Sequence, residues 1–149
     1  MNEPIEQAAR IVIQPLNEVS SVPINHSEGH EHDQGAVQRL ISKAVNGSPD
    51  ILATVFSMEP NQYHPLHAHP DLGELYFILE GACEVRVGDQ LKWVEANTAI
   101  YVPRGTPHSL RTKSGNVKFL LVFPEGDRSK VRKVWVDETA TGPSKHSMR

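Results

Sequence analysis

The sequence predicts an all-β fold, an antiparallel sandwich or barrel preceded by an N-terminal arm. Three observations carry that prediction. Short runs rich in β-branched and aromatic residues recur from Val37 to Val136, with Gly, Pro, Asn or Asp between most of them. No stretch has the periodicity of a long amphipathic helix. The 149 residues are enough for one domain with a real core and too few for two ordinary ones.

Taken in order, residues 1–10 read as a loose start, and Ile11-Val12-Ile13 as an edge strand that Pro15 ends. From Asn17 to Gly35 the composition is Ser, Asn, Glu, His, Asp and Gly without apolar periodicity, so residues 1–35 form a strand and a polar arm. His26, His30 and His32 in that arm read as solvated connector residues, with a secondary metal site as the lesser alternative. Val37 to Val45 and Ile51 to Met58 read as paired strands across the turn-dense Asn46-Gly47-Ser48-Pro49-Asp50. After Glu59-Pro60-Asn61-Gln62, alternation places Tyr63, Pro65, His67 and His69 on one face and His64 on the other. Glu74, Tyr76 and Ile78 then alternate with Leu75, Phe77 and Leu79. Both faces are largely apolar, so the strand's back is expected to be covered by another layer or by a second copy of the chain, a homodimer. Ala82 to Val87 and Leu91 to Val94 form a hairpin about Gly88-Asp89-Gln90, with Glu84 and Arg86 on the half-exposed side. Ala99 to Val102, Ser109 to Thr112, Val117 to Phe123 and Val134 to Val136 complete a domain over residues 36–136. Residues 137–149 are a polar tail expected to be disordered.

The charge balance is mildly acidic, 15 Lys and Arg against 18 Asp and Glu, and no basic stripe tracks a phosphate backbone. Nucleic acid is therefore not an expected partner. Cys83 is the single cysteine, which excludes an internal disulfide and a Cys-based zinc cage and fits a reducing compartment. It reads as a small buried apolar group. The opening residues have no basic patch or apolar core of a signal peptide, and the longest apolar run, Phe119 to Phe123, is far short of a membrane span. A cytoplasmic protein with no membrane partner is the expectation.

The eight histidines cluster, three between residues 26 and 32 and four between 64 and 108. His67 and His69, two apart on a strand, project from one face roughly 7 Å apart at the backbone, within reach of one ion. The reversal Pro70 to Gly73 brings Glu74 back beside them, and the turn Pro103-x-Gly105 delivers His108 from a separate strand. Three neutral imidazoles and a carboxylate suit one divalent transition metal, Fe, Mn, Co, Ni, Cu or Zn, better than Mg or Ca. A six-coordinate ion would keep two positions open for substrate, water or dioxygen.

The spacing His67-x-His69, four residues, Glu74, six residues, Gly81 resembles the first cupin motif, and Pro103-x-Gly105-x-x-His108 the second. Together they cover residues 61–112. The resemblance implies a small cupin β-barrel of the double-stranded β-helix or jelly-roll type, with a metal held inside by His67, His69, Glu74 and His108, and frequent dimerisation. Three positions depart from the family pattern. Asn61 and Asn97 stand where Gly usually opens the two motifs, and Thr112 where Asn commonly closes the second. Asn tolerates positive φ better than other non-Gly residues, so the first two changes are mild.

Tyr76 shares Glu74's face and Tyr63 shares His67's, which makes each a candidate proton donor, or a base if a metal lowers its pKa. Arg104, beside the second motif, reads as a solvated cation, with an anion-holding role as the alternative. Cupins of this length and donor set resemble Fe- or Mn-dependent dioxygenases, so the first functional expectation is a dioxygenase-like oxidoreductase on a small organic molecule, with substrate and O₂ at the open positions. The second is a lyase or isomerase using the ion as Lewis acid and a tyrosine as base. The third is a non-catalytic small-ligand-binding cupin, although the chain lacks a helix-turn-helix of a transcription regulator.

Overall fold

The structure, a computed structural model, describes residues 10–24, 30 and 32–137. Its strands are β1 (Val22–Pro23), β2 (Ala36–Ile41), β3 (Leu52–Met58), β4 (Tyr63–Ala68), β5 (Glu74–Val87), β6 (Gln90–Glu95), β7 (Ala99–Val102), β8 (His108–Arg111), β9 (Val117–Phe123) and β10 (Val134–Trp135). They pair antiparallel along the path β1-β2-β3-β9-β5-β8-β4-β10, with β6 and β7 also on β5. β5 is the hub. Its first half pairs with β7 and β9, Leu75 standing opposite Tyr101 and Val122, and its second half pairs with β6 and β8, Val85 standing opposite Lys92 and Leu110. One strand therefore belongs to both walls, and the sheet curls into a barrel around Phe56, Met58, Tyr76, Ile78, Leu110 and Phe119. The expected all-β cupin barrel is what the chain forms.

Between the halves of β5 sits Gly81, with φ 76° and its backbone against the Asn116 carbonyl, where any Cβ would collide. Only glycine fits that approach. Asn61 and Asn97 adopt φ of 61° and 69°, the left-handed conformation that glycine would otherwise supply. Thr112 is a buried pin: its hydroxyl donates to the Glu59 carbonyl at 2.5 Å and accepts from the Gln62 N–H at 2.8 Å, fixing the loop that leads into β4.

The N-terminal arm differs from expectation. Ile11-Val12-Ile13 forms no strand and leaves Ile11 and Ile13 over four-fifths exposed, because the edge of β2 is already taken by β1, Val22 opposite Val37. The polar arm supplies that strand, and beyond it Ile24 is fully buried. The Gln38 amide ties the arm down by donating to the Leu16 and Val19 carbonyls at 3.2 and 2.9 Å. The run Val37 to Val45 is also shorter than expected. β2 stops at Ile41, and Ser42 caps a one-turn helix, α1 (Lys43–Asn46), by accepting from the Val45 N–H at 3.1 Å before Gly47 ends it at φ 81°. Arg86, expected on the outer side of its strand, is buried. Residues 1–9, His26 and the tail beyond Asp137 lie outside the described residues.

Candidate metal centre

The barrel brings His67, His69 and His108 together: one ring nitrogen from each lies within 4.8 Å of the other two, and all three rings are buried. The backbone sets their tautomers. His67 Nδ1 lies 2.8 Å from the Pro65 carbonyl oxygen, His69 Nδ1 2.8 Å from that of Arg132, and His108 Nδ1 2.9 Å from that of Thr106. A carbonyl oxygen only accepts, so each Nδ1 carries the proton and each Nε2 keeps its lone pair for the interior. The register pairs His67 of β4 directly with His108 of β8, and the Gly105 N–H grips the His69 carbonyl at 2.8 Å, locking the two motifs together.

Glu74 opens β5 beneath these rings. Its Oε1 lies 2.9 Å from His108 Nε2 and 3.6 Å from His69 Nε2. With the Nδ1 atoms protonated, these are acceptors facing acceptors, and both Glu74 oxygens and His108 Nε2 are buried without a well-formed hydrogen bond. Such groups need a shared cation or a proton. The residues present therefore fit one transition-metal ion with an N₃O donor set. Burial pushes the Glu74 carboxyl up, but His108, His69 and Tyr76 outweigh it and hold it below its usual range. Burial, then the charges of His108 and Lys133, lower His67 far below an ordinary imidazole, and burial also lowers His69. Neutral imidazoles and an ionised carboxylate are the states a metal requires.

The site opens into a cavity of about 520 Å³, lined by His67, His69 and Glu74, by Phe56, Phe119 and Phe123, and by Tyr76. Tyr76 is buried, its ring 5.9 Å from that of His108, and burial followed by the Glu74 charge pushes its hydroxyl well above the usual tyrosine value. Tyr63, the other candidate, does not line the cavity. It is half-buried elsewhere on β4, with the Arg111 guanidinium 4.5 Å above its ring. The cause is local: Pro65 has no N–H for the ladder, and the β4–β8 register breaks between His64 and His67. The bulge inverts the expected alternation, so His64 faces the cavity in Tyr63's stead. Arg104 is exposed and outside the cavity.

A second group of polar residues shares this cavity, and it corrects the reading of His30 as a solvated connector: the ring is largely buried against Asp33 and Phe56 and lines the cavity. Asp33, buried in the arm, accepts from His30 Nδ1 and Lys133 Nζ, each at 2.8 Å. His64 Nε2 lies 2.9 Å from the Gln34 carbonyl oxygen. Burial pushes Asp33 up, but the hydrogen bond from His30 and the charges of His64 and Lys133 win and hold it far below the carboxylate range. The sequence signals for this group are the clustering of His30 with His26 and His32 and its three-residue spacing from Asp33. The segment Val131 to Lys133 joins the two groups, since Arg132 holds His69 through its carbonyl and Lys133 holds Asp33. Arg132 is itself anchored by a two-point ion pair to Asp71 at 2.6 and 2.9 Å.

A curled antiparallel barrel with three histidines and a glutamate on its inner wall defines a cupin. The cupin domain family matches residues 54–123, and that match together with the barrel supports a small cupin-family protein. Among its relatives is the tetracenomycin polyketide synthase protein TcmJ of Streptomyces glaucescens, 27% identical over 105 residues, an alignment covering 70% of this chain and 66% of TcmJ. The chain thus matches just under two thirds of that relative's length. The polyketide cyclase RemF of Streptomyces resistomycificus superposes with a TM-score of 0.71 at 25% identity, over 93% of this chain and 99% of RemF. The DMSP lyase DddQ of Ruegeria pomeroyi DSS-3 superposes with a TM-score of 0.61 at 26% identity, over 80% and 62%.

Proposed function

We propose that the protein is a metal-dependent enzyme that closes a carbon ring on a small polycarbonyl substrate, a cyclase of the polyketide type. The observation that carries this reading is the likeness to RemF over nearly the full length of both chains. The cavity supports it, with the metal donors and three phenylalanines on its walls. His67, His69, His108 and Glu74 would hold the ion. When bound, it would supply Lewis-acid polarisation of a chelating β-dicarbonyl, acidifying the hydrogens on the carbons next to the carbonyls. Phe56, Phe119 and Phe123 keep water away and favour a folded over an extended substrate. Burial and the Glu74 charge push the Tyr76 hydroxyl well above the usual tyrosine value, so it would serve as a hydrogen-bond donor to developing alkoxide.

A second reading, the dioxygenase-like oxidoreductase with Fe or Mn, is favoured by the donor set, which accepts redox-active ions as readily as Zn. One experiment separates them. Metal-loaded protein is given diacetylacetone, a linear triketone whose ring closure yields orcinol and water, in air and under argon. Equal rates of orcinol formation are expected. Oxygen uptake with loss of turnover under argon would establish the dioxygenase instead, and binding without turnover would leave a non-catalytic module. Elemental analysis of protein from the native host identifies the ion.

We propose in addition that the protein is a homodimer built on the outer face of β5 and β7. Leu75 and its cross-strand partner Tyr101 are 39% and 68% exposed there, beside half-buried Phe77, Leu120 and Val122. An apolar patch of this kind on a sheet calls for a partner. Light scattering at twice the chain mass is expected, falling to the monomer in Leu75→Glu/Tyr101→Glu. A wild-type monomer rules the dimer out.

A further inference from the structure

We infer that His30 and Asp33 form a general-base dyad that removes and returns the substrate proton in the cavity that the metal ligands line; this rests on the cyclase reading above. The arrangement has the parts such a dyad needs. Asp33 is 2% exposed, and its Oδ2 accepts from His30 Nδ1 at 2.8 Å. That bond fixes the tautomer and leaves the lone pair on Nε2. Lys133 Nζ reaches the same oxygen at 2.8 Å from a perch 4.2 Å over the Trp135 ring, compensating the buried charge. The His30 ring stands edge-on to Phe56, centroids 5.8 Å apart, and Phe56 stacks on Phe119. His30, Asp33 and Lys133 all line the cavity together with His67 and His69.

Two features argue for more than a staple in the arm. The turn is already closed by the backbone bond from the Asp33 N–H to the His30 carbonyl at 3.0 Å, so its shape does not depend on the side-chain pair. Asp33 Oδ1 is buried with no hydrogen-bond partner among the described residues, an acceptor waiting for a donor that a substrate hydroxyl or a water can supply. The charged and titratable groups acting on His30 are Asp33, Lys133 and Arg128, with His64 acting on Asp33. Burial outweighs the Asp33 bond and keeps His30 neutral at physiological pH, the state a base requires.

The proposed step balances without an oxidant or reductant. His30 Nε2 takes a proton from a carbon next to a substrate carbonyl, in diacetylacetone the terminal methyl carbon, and the electron pair of that C–H bond becomes the enolate. The enolate carbon bonds to a distant carbonyl carbon of the same molecule, whose π pair becomes an alkoxide. The alkoxide recovers the proton from the His30 imidazolium, and loss of water from the aldol then gives the aromatic ring.

The test uses the full-length metal-loaded protein with diacetylacetone as probe, comparing wild type with His30→Gln and Asp33→Asn. For His30→Gln, kcat is expected to fall about 100- to 1,000-fold, with KM and metal content nearly unchanged. For Asp33→Asn a smaller loss is expected, with the acidic limb of the kcat profile moved to lower pH as the imidazole loses its carboxylate. Nitrogen-15 NMR of the folded wild type, which does not depend on turnover, is expected to show His30 protonated at Nδ1 and bare at Nε2. Wild-type turnover in His30→Gln, or a bare Nδ1, overturns the dyad while leaving the cyclase reading standing. No cyclisation by metal-loaded wild type overturns the cyclase reading and the dyad with it.

Discussion

His108→Ala is expected to release the metal. Partners behind a ligand are worth about 10- to 100-fold in affinity, so removal of a ligand itself is expected to cost more than about 100-fold. His108 is more than one of four proposed donors. It is the residue that the second motif contributes, and its Nε2 stands 2.9 Å from Glu74 Oε1, so its loss leaves that carboxylate buried without its nearest imidazole. Elemental analysis of His67→Ala and His108→Ala, followed by titration against a chelator of known affinity, measures the effect. His32→Ala is the control, since His32 is exposed and stands outside the ligand group. Full metal content in both ligand variants would show that the centre is assigned to the wrong residues.

Acid is expected to destabilise the chelator-treated protein well before any carboxylate titrates. His64 is buried and its pKa is lowered to about 4 from an ordinary 6.5, chiefly by burial. Between those values the unfolded chain takes up a proton that the folded one refuses, so stability falls as pH falls. His64 alone accounts for about 2 kcal/mol lost between pH 7 and pH 5. His30, His67 and His69 are lowered as well and act with the same sign. Asp33 and Glu74 are carboxylates held below their usual values, so their contribution persists through this window and is lost only at lower pH. Urea denaturation at pH 7, 6 and 5 reads the slope, and His64→Gln is expected to flatten it by about the same 2 kcal/mol. A slope that His64→Gln leaves unchanged would mean that His64 is solvated.

The clustering of the proposed ligands was readable because each step depends on local rules. His67 and His69 share a strand face, Pro70 to Gly73 reverses the chain, and a Gly-containing turn precedes His108. Register then did the rest. The second polar group was hidden for opposite reasons. His30 and Asp33 lie in an arm with no periodicity, and what fixes them is Lys133, a hundred residues on. His64 and Tyr63 exchanged sides because strict alternation assumes an unbroken ladder, and Pro65 breaks it. Ile11-Val12-Ile13 has strand propensity without a free edge to join, whereas Val22–Pro23 has poor propensity and finds one.

The clasp made by Val131 to Trp135 has a thermodynamic consequence. Arg132 holds the ring of His69, and Trp135 of β10 pairs with His67, so undocking this segment disturbs two proposed ligands at once. Ion binding and docking of this segment are therefore reciprocally linked. Whatever free energy an ion gains from the docked arrangement it returns as resistance of that segment to fraying, and a chelator is felt along the segment as well as in the barrel.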